Sequence, residues 1–205
     1  MTAGATALLM VDTMPPLLAP NAGTLGNEPY VRYQALAAWL NAYYARRHGY
    51  DLLYNQLSDE GFGCHHAVFG RRHPSYCKLP AIAAALRRYD TVVMLDSDTW
   101  FTPGALPLSE LLAADERNHW SSLQQHSPFS PAPHVSPSVF FGSDRPFSSG
   151  PNCGFMVWRA SAAAQELLRL WWHVDAGRFQ QSHDYEQADC EIEPSETSLP
   201  SPPHR

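Results

Sequence analysis

Residues 91–101 read TVVMLDSDTWF: a run from Thr91 to Leu95, then Asp96-Ser97-Asp98, then Thr99-Trp100-Phe101. A short apolar and β-branched run without polar alternation predicts a strand buried on both faces, as in the middle of a parallel sheet. Ligands of open α/β sheets gather beyond the carboxyl ends of the strands, and this strand ends on two carboxylates. In extended backbone, side chains two residues apart point to the same side, so Asp96 and Asp98 are expected to converge on one ion. Hard oxygen donors select Mg²⁺ or Mn²⁺, and such ions keep positions open for phosphate oxygens. An ion there would neutralise charge on a leaving diphosphate. The competing reading is structural: Asp96 and Ser97 simply turn the chain.

The sequence on either side of this run alternates between strand and helix patterns. Thr6–Asp12 (TALLMVD) predicts a short strand in the middle of the sheet. A loop rich in Pro, Gly and Asn follows to Asn27. Pro29–Arg47 predicts a helix, with Pro29 in the first turn and Gly49 just past the end. Its expected core stripe is Val31, Ala35, Trp39 and Tyr43, widened by Leu36 and Leu40. Tyr50–Asn55 predicts a strand, Gln56–Tyr76 a surface loop and Leu79–Arg88 a second helix leading into Thr91.

Downstream, a helix is expected near Leu106–Asp115 and a strand around Trp120–Gln124. His126–Pro151 contains six prolines and predicts an extended loop. Cys153–Arg159 predicts a strand, and Ser161–His173 a helix with Ser161 as its N-cap. Strands and helices in alternation imply an α/β fold, a mainly parallel central sheet flanked by helices.

Length fits one domain with a real core, residues 1–190, and the Ser/Pro-rich stretch 191–205 reads as a disordered tail. With 14 Lys+Arg against 20 Asp+Glu the net charge is −6. That balance, with no Lys/Arg stripe, argues against nucleic acid as a partner. No apolar run reaches the roughly 18 residues of a membrane span. Ala3–Met10 is apolar, but Asp12 interrupts it and no basic segment precedes it, which argues against a signal peptide. Cys64, Cys77, Cys153 and Cys190 lack the close pairing of a zinc site, leaving disulfides or buried thiols, with buried thiols the plainer expectation. His65, His66 and His73 are scattered through a loop and read as no metal site. Trp158, Trp171 and Trp172 read as core.

Four segments in order resemble the galactosyl/xylosyl/mannosyltransferases of glycosyltransferase family 34. They are Asn41-Ala-Tyr-Tyr-Ala45 with His48-Gly-Tyr-Asp51, Lys78 in YCKLPAIAAAL, Tyr89–Asp98, and Asn152–Arg159 followed by Trp171-Trp172 and His183-Asp-Tyr-Glu-Gln187. Together they cover about Ala5–Gln187. The resemblance implies a GT-A fold and an Mn²⁺-dependent (or Mg²⁺-dependent) transferase that retains anomeric configuration. A UDP- or GDP-sugar would be the donor, a glycan or glycoprotein the acceptor, and the Golgi or another secretory-pathway lumen the place. It puts Asp96 and Asp98 at the metal, Lys78 and Ser97 by the diphosphate, and Asn152 and Gly154 along the donor sugar. Glu186 and Gln187, with Asp184 as the neighbouring acid, would stand near the reacting carbon. Outside the family reading, Lys78 is a solvated helix-end cation, Asn152 and Gly154 are turn residues, and Glu186 and Gln187 are exposed.

The chain departs from the family pattern in two ways. No membrane anchor precedes the first strand, and the stretch that supplies a metal-binding histidine is replaced by the Ser/Pro-rich end, where His204 has no matching context. A shortened or diverged catalytic domain is the expectation, and a non-catalytic nucleotide-sugar-binding module the alternative. A phosphohydrolase of the haloacid dehalogenase type also places Asp-x-Asp after a strand. Trp100-Phe101 and the motif's mid-chain position fit that type poorly.

Overall fold

The computed structural model describes residues 4–13, 16, 24–25, 28–29, 32–57, 64–113, 138–143 and 151–173. Their strands, in chain order, are β1 (Thr6–Asp12), β2 (Thr24–Leu25), β3 (Glu28–Pro29), β4 (Asp51–Gln56), β5 (His65–His66), β6 (Gly70–Arg71), β7 (Thr91–Leu95), β8 (Val139–Ser143) and β9 (Pro151–Arg159). The main helices are α1 (Tyr33–His48), α2 (Lys78–Ala85) and α3 (Ala162–His173), and residues 108–113 are also helical.

The main sheet has the order β4-β1-β7-β9-β8. β4, β1 and β7 run parallel, and β9 runs against both β7 and β8, so four strands share one direction. This is the mostly parallel α/β sheet expected from the sequence. β1 and β7 lie side by side in its interior, with Ala7–Met10 and Val92–Leu95 buried. That is why their sequences do not alternate: each face is covered. Ala7, Leu9, Val92, Met94, Met156 and Trp158 point to a core with α2 and α3. Leu8, Met10, Val93, Leu95 and Val157 point to a core with α1, Phe101 and Leu108. Each fully buried Val, Leu or Met among them contributes about 1.5–3 kcal/mol.

Helix α1 departs from its expected packing. It begins at Tyr33 after extended Arg32, and Pro29 lies instead in β3, paired with Thr24. Its end is as read: Gly49 has φ 71, the left-handed conformation that glycine adopts without strain, and donates to the Ala45 carbonyl. The buried side is Ala35, Ala37, Ala38, Asn41, Tyr44 and Ala45; of the expected stripe Ala35 is core and Leu40 half-buried, while Leu36, Trp39 and Tyr43 are exposed. The helix carries two apolar stripes of helical period. The small one wins because alanines bring the helix close to β1, and because Asn41 and Tyr44 find partners there. The Tyr44 hydroxyl donates to the Leu106 carbonyl (2.8 Å), and its ring stacks on Phe101 at 3.9 Å.

Other expectations need smaller corrections. The proline-rich stretch is not loop throughout: Val139–Ser143, which contains no proline, pairs with β9 as β8. Residues 64–77 hold the β5–β6 hairpin and a 3₁₀ turn at Pro74–Cys77 rather than plain loop. Cys64 and Cys77 form a disulfide across this segment, Cα atoms 5.4 Å apart, and Cys153 is a buried thiol. Helix α3 is as predicted. Ser161 Oγ accepts from the Ala164 N–H (3.0 Å), and Ala164, Leu168 and Trp171 are buried. Trp158 and Trp171 are core, and no helix among the described residues is long and apolar enough to cross a membrane. The strand expected near Trp120–Gln124 and the tail lie outside the described residues.

Candidate active site

From β1 the chain crosses over one face through α1 to β4, and later returns over the other face through α2 to β7. Adjacent parallel strands whose connections leave in opposite directions open a crevice at their carboxyl ends. A cavity of about 320 Å³ lies there, lined among others by Asp12 and Thr13 from the end of β1 and by Asp96, Ser97 and Asp98 after β7. Pro74, Ser75 and Lys78 form another part of its wall.

Asp96 and Asp98 do share one cavity, but not for the expected reason. The strand stops at Leu95, and Asp96–Thr99 is a turn closed by the Thr99 N–H on the Asp96 carbonyl (2.9 Å). Turn geometry, rather than strand alternation, brings the second carboxylate round to the cavity. Asp98 is exposed, whereas Asp96 is half-buried and held from two sides. Its backbone N–H donates to the Gly154 carbonyl (2.8 Å), and its Oδ1 accepts from Lys78 Nζ (2.9 Å).

Lys78 is 3% exposed, so it is not a solvated helix-end cation. A buried ammonium requires partners, and it also donates to the Cys153 carbonyl at 3.3 Å. Gly154 and Asn152 belong to the same cluster. The Gly154 N–H donates to Asn152 Oδ1 (2.7 Å), and a Cβ at Gly154 would stand 2.9 Å from that oxygen and 3.1 Å from Asp96 Oδ2. Glycine is what the close approach of Asp96 demands. The fold thus brings together Lys78, Asp96, Ser97, Asp98, Asn152 and Gly154; Asp184, Glu186 and Gln187 lie outside the described residues.

Two residues of the site were not singled out from the sequence. Asp12 is one, a third acid at the cavity; its signal was available, since β1 also ends on a carboxylate next to β7. Burial, and then the charge of Asp12, push the nearby Tyr54 hydroxyl up to about 12. Asn41 is the other. Wholly buried on α1, it donates to the Thr99 carbonyl (2.9 Å) and accepts from the Phe101 N–H (3.0 Å). It therefore clamps the backbone directly after Asp98. Nothing in a helical asparagine announces such a long-range partner.

Pro74 and Ser75 of the cavity wall belong to the disulfide-closed segment 64–77. Arg72 is buried with its guanidinium 4.9 Å from the Phe69 and Tyr76 ring centres and 5.2 Å from Trp172. Buried His66 accepts the Val68 and Phe69 N–H groups on Nδ1 (3.0 and 3.1 Å). Its proton therefore sits on Nε2, facing His173 Nδ1 at 3.0 Å. Desolvation, with the charge of Arg72 next, holds the His66 pKa below the usual histidine range. His66 is thus a structural neutral histidine.

Among the described residues no three His, Cys, Asp or Glu side chains group as a complete metal cage. The donor set at the crevice is nevertheless of one kind, the hard oxygens of Asp96 and Asp98. Two such carboxylates would suit Mg²⁺ or Mn²⁺, with Asp96 Oδ1 already accepting from Lys78 Nζ.

What the architecture defines is an α/β protein with an acidic crevice at the switch point of its sheet. No family model and no curated protein matches the chain. A solved structure does: the crystal structure of a glycosyltransferase involved in the glycosylation of the major capsid of PBCV-1. The match has a TM-score of 0.51 at 16% identity, and covers 89% of this chain and 72% of that one. The two proteins share a fold.

Proposed function

We propose that this chain is a glycosyltransferase that moves a sugar from a nucleoside-diphosphate donor to a glycan or glycoprotein acceptor. One juxtaposition carries the reading. Two carboxylates and a buried lysine meet at the switch-point cavity of a fold shared with a solved glycosyltransferase.

In this reading Asp96 and Asp98 would hold Mn²⁺ or Mg²⁺, which supplies charge neutralisation at the donor diphosphate. Lys78 adds positive charge from the protein side and fixes the Asp96 carboxylate in place. Ser97 would lie beside the diphosphate and Asn152 and Gly154 beside the sugar, with Asp12 a third acid in the cavity wall. The anomeric carbon breaks its bond to the diphosphate oxygen and forms one to the acceptor hydroxyl oxygen. The hydroxyl proton leaves with the nucleoside diphosphate. Glu186 or Asp184 would stabilise positive charge at that carbon, with Gln187 holding the sugar and configuration retained. A secretory-pathway lumen such as the Golgi suits the Cys64–Cys77 disulfide, which persists in oxidising compartments.

Calorimetric titration of UDP and GDP with and without Mn²⁺ tests the proposal. Metal-dependent binding of one nucleotide is expected, at least about tenfold weaker in Asp98→Asn with the fold kept, and weaker too in Asp96→Asn, which also lowers stability by leaving the buried Lys78 ammonium without its counter-charge. No affinity, or affinity indifferent to metal, would refute it. A binding module without turnover is the second reading, favoured by the Lys78 ammonium that already engages Asp96 Oδ1. Slow donor hydrolysis by the wild type separates them, since a module releases no free sugar.

A further inference from the structure

Helix α1 is apolar on both sides, and among the described residues only one side is covered. Leu36, Trp39, Leu40 and Tyr43 follow the i, i+3, i+4, i+7 spacing of a single helix face. Trp39 is 54% and Tyr43 45% exposed, Leu36 is exposed too, and Leu40 is half-buried. The same face continues into Arg46 and Arg47, both exposed at the helix C-terminus, Arg47 also donating from Nη1 to the Pro103 carbonyl (2.8 Å). From Tyr33 to His48 there is no Asp or Glu, although the chain as a whole carries a net charge of −6. A cationic, acid-free helix on an acidic protein is a local departure that packing against the sheet does not require.

We propose that this outward face of α1 docks on a lipid surface bearing anionic headgroups. The residue chemistry selects that occupant. Tryptophan and tyrosine have an apolar body and a polar tip, which suits the boundary between headgroups and acyl chains. Leu36 and Leu40 add apolar depth, and arginines at one end of the stripe meet phosphate or carboxylate charge. A second copy of this helix complements the face less well, because it would offer no carboxylate to Arg46. Docking through α1 leaves its buried face, with Asn41, holding the acidic turn, so the active-site crevice would be carried at a fixed height above the surface.

The test uses the full chain with phosphatidylcholine vesicles, with and without added phosphatidylserine, in a sedimentation assay. Binding is expected only with phosphatidylserine and should weaken at high salt. The double variant Trp39→Ser/Tyr43→Ser should bind at least about tenfold more weakly, since it removes two insertable aromatics. Arg46→Glu should lower affinity about fivefold or more through charge alone. Circular dichroism should give both variants the wild-type unfolding temperature, because these side chains lie outside the core. Absence of vesicle binding in the wild type, or equal binding by the variants, overturns the proposal. So does a dimer that the double variant dissociates, with no vesicle binding, because the face is then a protein interface.

Discussion

The two faces of the sheet are packed by different means. On one, α2 and α3 bury large side chains, Leu79, Ile82, Leu168 and Trp171, against Trp158 and Met156. On the other, α1 buries alanines together with Tyr44 and the amide of Asn41. The first face is ordinary cohesion through apolar volume. The second sacrifices volume for closeness, and that closeness lets a helix side chain reach across to the loop that carries Asp98. Large apolar side chains are concentrated on the α3 side, whereas the clamp on the turn after Asp98 comes from the α1 side, so substitutions at Trp171 and at Asn41 should fail in different assays.

The largest effect should come from Trp171→Ala. Removing a buried aromatic from the α3 core should cost about 3–5 kcal/mol in denaturant unfolding, with donor affinity of the remaining folded fraction unchanged. Asn41→Ala should cost less, about 1–3 kcal/mol, by leaving the Thr99 carbonyl and Phe101 N–H without their partner. It should also weaken metal-dependent nucleotide binding. Equal donor affinity in both variants would erase the proposed division of labour.

Acidification should reach the α3 side through His66. Its folded pKa lies below the ordinary value, so the unfolded chain takes up the proton first and stability falls as pH drops below about 6.5. Thermal unfolding measured from about pH 7.5 to about pH 5 should show this fall, and His66→Gln should flatten it. The smallest effect belongs to Trp39→Ser on the outward side of α1, within about 0.5 kcal/mol of wild type in the same unfolding assay. A loss of several kcal/mol there would mean that Trp39 is core after all, and would reverse the assignment of the helix's two stripes.

Much of the fold was legible. The unbroken apolar runs at Thr6–Asp12 and Thr91–Leu95 can be satisfied only between two covered faces, and Gly49 and Ser161 mark helix ends by local chemistry alone. The acidic pair was legible for a similar reason, since a buried strand that stops at Leu95 delivers its next residues to the sheet's edge. The choice of helix face was not. Leu36, Trp39 and Tyr43 are stronger hydrophobes than Ala37, Ala38 and Ala45, and a periodicity argument favours the larger stripe. It has no information about how near the sheet must come.

What the sequence determined by itself was the set of local elements, the mostly parallel α/β class and the place where two carboxylates leave the sheet. Each rests on interactions between neighbours in the chain or on the burial of a whole segment. The tertiary structure decided which stripe of α1 is core, that Lys78 is buried against Asp96, that Gly154 must lack a side chain beside it, and that Asn41 holds the acidic turn. Those are contacts between residues far apart in the chain, and their energy exists only once the sheet has brought the partners within hydrogen-bonding distance.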